Sequence, residues 1–507
     1  MSEEQKDIQA KPVETNETSS YRSIFKATSL FGGVQIWKIL ITIVQTKFVA
    51  VILGPAGMGL KGLYSSATSL IQSLTAMGLS SSAVRDVSQA HGTGDSKRIG
   101  YVVSVLRKLV WFTGLLGMTL VITLSPVLSK TTFGNNDYII PFIILSVTLL
   151  LAQLTVGQNV LLQGTRRLTY LAKAGIIGSI VSLVVTVPLY YFFGTKGVIP
   201  AMVLESLSLF LLAYHFARKV KVEKCEVGVK EALREGKGMV ALGLVMTYNS
   251  MLVLGASYII RVFITRIGGI ADVGLYSAGF AVVNTYVAMV FSAMDTDYYP
   301  RLAAVNQDNV KCTTTVNQQM EVALLIIGPL MLLFLPLAPL AIIAIYSSKF
   351  LPIIGYMQWA SLGIVFKALG WAISYQFIAK GDKKVFAINE TVANIIGLVF
   401  DISGYYFWGI TGLGISFFVR KVVYFFMVYA VSHKKYGYNL SAEVIKITLT
   451  VLVCLVVVFL MLQIWSQWWI YFPTGIIIIV TCWYAFVELD KRMGIKQAIT
   501  NIIKRKK

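Results

Sequence analysis

The chain has 507 residues, of which 56% are hydrophobic and only 14% charged, and its mean hydropathy is +0.71, values that exclude a water-soluble globular protein. The formal net charge of +21 does not imply nucleic acid, because the Lys and Arg residues lie in short segments between apolar runs and not on one basic face. The 4 cysteines show no metal-ligand spacing, the 3 histidines sit near loop ends and no nucleophile motif is present, so no disulfide, metal, cofactor or enzymatic activity is expected.

Residues 1–22 are largely polar and lack an apolar core, which predicts a disordered cytoplasmic tail and leaves the first membrane helix to act as the insertion signal. Apolar runs of roughly 20 residues then recur along nearly the whole chain. They predict an all-α polytopic membrane protein of about fourteen transmembrane helices, beginning near Ile24, Leu60, Tyr101, Tyr138, Leu168, Gly197, Met239, Gly274, Val322, Pro352, Val385, Gly409, Val444 and Trp468. Alternate connections are rich in Lys and Arg: Arg85 to Lys108, Arg166 to Lys173, Arg218 to Lys237, Arg301 and Lys311, Lys380 to Lys384, Lys434 to Lys446 and the tail Lys504 to Lys507. The intervening connections carry little beyond Lys61, Lys130, Lys196, Arg266 and Lys349. The positive-inside rule therefore places both termini in the cytoplasm.

An internal repeat divides the chain. Gly62-Leu63-Tyr64-Ser65 recurs as Gly274-Leu275-Tyr276-Ser277, and its register carries Gln72 onto Asn284 and Met77 onto Met289. Gly164-Thr165-Arg166-Arg167 answers Gly381-Asp382-Lys383-Lys384, and Tyr190-Tyr191-Phe192-Phe193-Gly194 answers Tyr405-Tyr406-Phe407-Trp408-Gly409. The shared separation, about 212 to 217 positions, marks two homologous bundles of six spans. An even span number makes the repeats parallel, related by an axis along the membrane normal. The expected organisation is an N-lobe over 23–219, a basic cytoplasmic linker over 220–237, a C-lobe over 238–435, and an extra helix pair with a basic tail over 436–507, expected to be peripheral in lipid.

Four pieces occur in order: Leu53-Gly54-Pro55-Ala56-Gly57-Met58-Gly59-Leu60, Ala83-Val84-Arg85, Leu162-Gln163-Gly164-Thr165-Arg166-Arg167-Leu168, and Ala293-Met294-Asp295-Thr296-Asp297-Tyr298-Tyr299-Pro300-Arg301. Over about Ile24 to Lys435 the chain resembles the polysaccharide-export branch of the multidrug/oligosaccharidyl-lipid/polysaccharide (MOP) flippase superfamily, and within it the O-antigen translocase (Wzx-type) flippases. The resemblance implies export of a saccharide carried on undecaprenyl diphosphate across the inner membrane of a bacterium, by alternating access of two lobes. It also implies a coupling cation, proton or sodium, and a polysaccharide polymerase is expected as a partner. The extra helix pair departs from the twelve-span core common in this branch.

Ionisable groups deep in a span cost roughly 2.5 to 3.5 kcal/mol on insertion scales, so they face the protein interior or a wet cavity. Gln35, Lys38, Thr42 and Gln45 form one polar stripe on span one, with Lys38 near mid-depth. Aligning Gly54 with Gly268 sets Asn249 opposite Gln35 and Arg261 opposite Lys47. Lys38, Lys47 and Arg261 are candidates for an anionic pyrophosphate linker, although Lys47 and Arg261 could instead snorkel to the interface. Gln72 and Asn284 suit sugar hydroxyls, or helix–helix hydrogen bonds. Arg85, ending span two, faces Asp295, Asp297 and Arg301, ending span eight, as a candidate cytoplasmic gate, with local helix-end pairs as the alternative. Glu205 and Arg420 occupy matched positions in spans six and twelve; Glu205 is a candidate coupling site and Arg420 is expected to hold a negative partner. Lys367, Glu390, Asp401 and Lys421 are further intramembrane charges.

Two functions compete with the flippase. A multidrug and toxin extrusion antiporter would need acids on the central helices to hold cationic drugs, yet spans one and seven carry Lys38, Lys47 and Arg261 and no Asp or Glu. A cell-wall lipid II flippase of the same superfamily differs chiefly in its sugar.

Overall fold

The structure, a computed structural model, describes residues 16–220, 222–223, 225–464 and 468–493, with side chains described from Trp37 onward at all but a few of these positions. The helices in chain order are α1 (Asn16–Thr75), α2 (Leu79–Gly92), α3 (Ser96–Phe133), α4 (Ile139–Gly164), α5 (Leu168–Phe193), α6 (Val198–Ala217), α7 (Val229–Glu235), α8 (Lys237–Ile267), α9 (Ile270–Ala281), α10 (Val287–Ala304), α11 (Asn309–Ile345), α12 (Ile354–Ala379), α13 (Lys383–Tyr436), α14 (Ala442–Ile464) and α15 (Tyr471–Met493). Among the described residues there is no strand. A chain whose backbone groups must be satisfied away from water folds this way because a helix closes its own hydrogen bonds.

Ten helical stretches are long and apolar enough to cross a membrane. Three of them, Trp37–Thr75, Leu168–Ala217 and Lys383–Tyr436, hold two crossings each. The α9–α10 rod supplies one more, so the crossings number fourteen, as the hydropathy pattern predicts. The breaks fall where the backbone needs glycine. Gly194 and Gly409, the last residues of the matched Tyr-Tyr-Phe motifs, have φ of 54° and 57°, a region closed to most L-residues. In each motif the first tyrosine, Tyr190 or Tyr405, is buried, and the three aromatics after it are exposed, as an interfacial aromatic belt requires.

The expected tail over 1–22 overlaps α1, which is already helical from Asn16; residues 1–15 and the basic tail Lys504 to Lys507 lie outside the described residues. The linker over 220–237 is not a free connection. Its helix α7 docks on α3 through the Tyr101 hydroxyl, which donates to Glu231 at 3.0 Å, while Val227 and Ala232 are buried. The extra pair α14–α15 packs on α11 and α12. Gln463 donates to Gln358 at 2.8 Å, and Arg492 pairs with Glu321 at 2.8 Å and Glu488 at 2.5 Å.

At the end remote from the basic loops the two lobes are in close contact. The second half of α1 lies on α9 so tightly that a Cβ on Gly59 would stand 1.9 Å from the Ile270 carbonyl oxygen, and one on Gly274 would stand 1.8 Å from the Pro55 oxygen. Small residues permit this approach, and van der Waals packing is what holds helices together in lipid. Arg266 donates to the Lys130 and Thr131 carbonyls, and Tyr258 shares a 2.7 Å hydrogen bond with Thr132. At the basic-loop end, Gly78 meets Gly243 of α8, whereas α10 packs against α11 and α12 of its own lobe.

Gly62 and Ser277 face each other across the closed end, with an ideal Gly62 Cβ placed 3.7 Å from the Ser277 Cβ, within the range a disulfide spans. In a background lacking the native cysteines, Gly62→Cys with Ser277→Cys should cross-link the lobes on mild oxidation, read as a gel shift after proteolysis between them. Failure to cross-link in the folded protein would overturn the assignment of this contact.

Candidate functional site

Each lobe encloses a polar cavity within the membrane-spanning bundle. The N-lobe cavity, about 540 Å³, is lined by Lys38 and Thr42 of α1, Thr155 and Asn159 of α4, and Gly175 and Ser179 of α5. Lys38 lies directly over Gly175, whose missing side chain leaves room for its ammonium. The Thr42 hydroxyl donates to the Lys38 carbonyl at 2.8 Å, within its own helix. One turn further along the stripe, the Gln45 amide donates to Ser182 at 3.1 Å and Thr186 at 3.2 Å. Ser182 in turn donates to the Glu205 carboxylate at 2.7 Å. Span one thus meets Glu205 through a hydroxyl relay, a link that joins two of the predicted candidates inside one lobe. Gln35 lies on the same helix, its side chain outside the described residues.

The C-lobe cavity, about 420 Å³, is walled by α8, α9, α12 and both halves of α13. Tyr276, Phe280, Trp371 and Tyr424 give it aromatic faces, and Asn284, Lys367, Glu390, Asp401, Arg420 and Lys421 supply its polar groups. Asp401 is 6% exposed and accepts from Arg420 at 3.0 Å. This pair closes a charge that could not stand alone in an apolar bundle. Glu390 accepts from the Tyr424 hydroxyl at 2.6 Å. Arg261 lies behind the α8 wall, donates to Ser257, and has its guanidinium over the rings of Tyr276 and Phe280 at 5.4 and 5.8 Å. It does not snorkel to the surface.

The remaining candidates fall elsewhere. Lys47 reaches across the lobes and donates to the Ile343 carbonyl at 2.5 Å. That carbonyl lies in the last turn of α11, where no intrahelical donor remains, so Lys47 straps the closed end and lines neither cavity. Gln72 lines neither cavity, although its repeat partner Asn284 does. Arg85 pairs with its neighbour Asp86 at 3.2 Å, Asp297 with Arg301 at 3.9 Å, and Asp295 accepts from the Trp371 indole at 3.0 Å. Among the described residues no ion pair joins Arg85 to Asp295 or Asp297 in this conformation; at this end the lobes meet through Gly78 and Gly243 and not through these charges. Glu205 and Arg420 likewise stay in separate lobes, each with its own partner.

Lys61 was expected in a connection and lies instead inside the second half of α1, 6.0 Å from the ring of buried Tyr190. The overlooked signal is Gly54-Pro55. A proline suits the first turn of a helix, and starting span two there carries Lys61 well into it.

The Asp401–Arg420 pair generates a double-mutant prediction. Arg420→Gln or Asp401→Asn alone should lower stability in detergent micelles by about 3–5 kcal/mol by leaving a buried charge without its partner. The double variant should recover most of that loss, measured by thermal or denaturant unfolding. Equal, additive losses would show that the two do not act as a unit.

The chain is similar to known membrane proteins in both sequence and fold. The family described as polysaccharide biosynthesis protein matches residues 48–355. A lipid III flippase of Escherichia coli (strain K12) is 21% identical over 80% of this chain and 96% of its own. Among solved structures, a lipid II flippase, MurJ, in an inward closed conformation superposes with a TM-score of 0.66 at 12% identity, covering 92% of this chain and 99% of that one. An inward-facing multidrug resistance MATE family transporter of the MOP superfamily gives a TM-score of 0.64 at 15% identity, covering 78% and 94%. The chain belongs to the polysaccharide biosynthesis protein family and has the two-lobed membrane fold of the MOP flippase superfamily.

Proposed function

We propose that this protein is a flippase that carries an undecaprenyl-diphosphate-linked oligosaccharide, of the O-antigen or capsule repeat-unit type, across the bacterial cytoplasmic membrane by alternating access. The observation that carries this reading is the sign of the two cavities. The charged group lining the N-lobe cavity is Lys38, and the C-lobe cavity sets Lys367, Arg420 and Lys421 against Glu390 and Asp401. Walls with a cationic excess favour an anionic headgroup and disfavour the cationic drugs of an extrusion antiporter. The aromatic faces and carboxamides of the C-lobe cavity suit sugar rings and hydroxyls. The flippases of lipid III and lipid II among the relatives support the same class of cargo.

With the basic loops in the cytoplasm, both termini are cytoplasmic and the glycine contact of α1 with α9 is an outer gate, closed here. Opening it while the basic-loop ends approach would bring Arg85 toward Asp295, Asp297 and Arg301 in the opposite state. Cation coupling, by proton or sodium, is assigned to Glu205, which accepts a hydrogen bond from Ser182 with the Lys61 ammonium nearby, whereas Arg420 is held directly by Asp401. A polysaccharide polymerase would take the delivered product.

The test is flipping of a fluorescent undecaprenyl-diphosphate-linked saccharide in proteoliposomes, scored by quenching of the outer leaflet. Wild type should equilibrate the label between leaflets, and Lys38→Ala should slow this roughly tenfold while Lys38→Arg retains more. Glu205→Gln should abolish the acceleration given by an imposed proton or sodium gradient and leave passive exchange. No flipping above empty liposomes by well-folded wild type, or gradient-driven flipping by Glu205→Gln, would sink the flippase and the coupling assignments respectively.

A further inference from the structure

Most intramembrane charges described above are matched by a specific neighbour: Arg420 by Asp401, Glu390 by Tyr424, Glu205 by Ser182 and Arg261 by Ser257. Lys367 and Lys421 are not. Both line the C-lobe cavity, yet neither ammonium forms an ion pair or hydrogen bond among the described residues. Lys367 rests over the ring of Phe291 at 5.3 Å, and Lys421 over Phe417 and Tyr424 at 5.8 and 5.6 Å. Asp401 and Glu390 attract Lys421 from a distance but make their close contacts with Arg420 and Tyr424. In the same cluster the buried Nε–H of Arg420 has no acceptor. Two lysines without a hydrogen-bonded or ion-paired partner, next to an arginine with an unused donor, concentrate positive charge in one cavity. Placing them there is costly in an empty protein.

We infer that Lys367 and Lys421 form an oxyanion site in the C-lobe cavity that holds an acidic group of the transported headgroup. This inference rests on the reading of the chain as a flippase for a lipid-linked saccharide, and it adds a second anion contact to the one proposed for Lys38 in the other lobe. Two ammonium groups converging on one cavity match the paired oxygens of a phosphate or a carboxylate through charge-assisted hydrogen bonds. Trp371, Tyr276 and Phe280 supply flat apolar faces beside it, on which a sugar ring bearing the acid, or joined to the phosphate, can lie. The aromatic rings under the ammonium groups keep them in place through cation–π attraction while the site is empty. An arriving oxyanion then replaces a weak contact with a strong one.

The site is tested on the full chain in detergent micelles by calorimetric titration with pyrophosphate, glucuronate and glucose as probes. At least one of the two anions should bind wild type saturably, and Lys367→Met with Lys421→Met should weaken that binding roughly tenfold or more. Any response to neutral glucose should be unchanged. Binding of pyrophosphate alone assigns the site to the lipid linkage, and binding of glucuronate alone assigns it to an acidic sugar; either supports it. Lys421→Met should also raise the melting temperature of the ligand-free protein, since it removes a charge that lacks a partner, whereas a structural lysine would lower it on removal. Lys421→Arg should keep anion binding. Anion binding unchanged in the double variant, or no binding of either anion to folded wild type, would overturn the proposal. Lipid flipping by wild type together with unaltered anion binding by the double variant would defeat this site alone. Lysine-dependent anion binding without flipping would instead defeat the flippase reading.

Discussion

A charge inside a bilayer has no water to turn to, and the architecture of this protein follows from where that constraint sends its ionisable residues. A lipid-facing ammonium or carboxylate would cost several kilocalories per mole, so Lys38, Lys61, Glu205, Lys367, Asp401, Arg420 and Lys421 are directed toward the interior of one lobe or the other. Each lobe then needs a polar interior, and a polar interior larger than its own side chains becomes a cavity. The exposed surface is left to Ile, Leu, Val, Phe and Trp, which lipid solvates without penalty.

The repeat gives the two lobes one frame and different chemistry. Under the register that superposes Tyr190 on Tyr405, Thr186 corresponds to Asp401 and Glu205 to Arg420. In the C-lobe these positions form a direct ion pair at 3.0 Å. In the N-lobe they are joined by neutral groups, Gln45 binding both Thr186 and Ser182, and Ser182 binding Glu205. The repeat thus puts both slots at matched positions, one closed by an ion pair and the other by neutral hydrogen bonds, and the coupling proposed for Glu205 rests on that difference.

Closure at one end depends on the absence of side chains. Gly59 and Gly274 bring α1 and α9 to backbone contact, with Gly62 against the Ser277 side chain, and a surface of this kind separates without leaving buried polar groups unsatisfied. The flanking hydrogen bonds of Lys47, Arg266 and Tyr258 lie near the ends of the helices, where water can take over the freed carbonyls and hydroxyls. Strong packing combined with replaceable polar contacts suits the outer gate proposed for this end.

Much of this is legible in the sequence itself. Hydropathy alone determined the membrane setting and the fourteen crossings, since a span of given length must be apolar; the recurring pieces exposed the two lobes because the glycine of Gly-Leu-Tyr-Ser sits at a close helix contact and that of Tyr-Tyr-Phe at a positive-φ turn, and both tolerate few substitutes. Mid-span charges stood out for the same reason. Their partners did not. Whether Arg420 meets Glu205 or Asp401, whether Lys47 lines a cavity or straps α11, and whether Lys61 lies in a loop or beside Tyr190 depend on helix rotation and lobe packing, and neither is encoded in a periodicity. The extra pair α14–α15 shows the same limit: its apolar surface predicted helices in lipid, and only the tertiary structure joined Arg492 to Glu321 and Gln463 to Gln358. Composition decides which residues must leave the lipid, and packing decides which of them find each other.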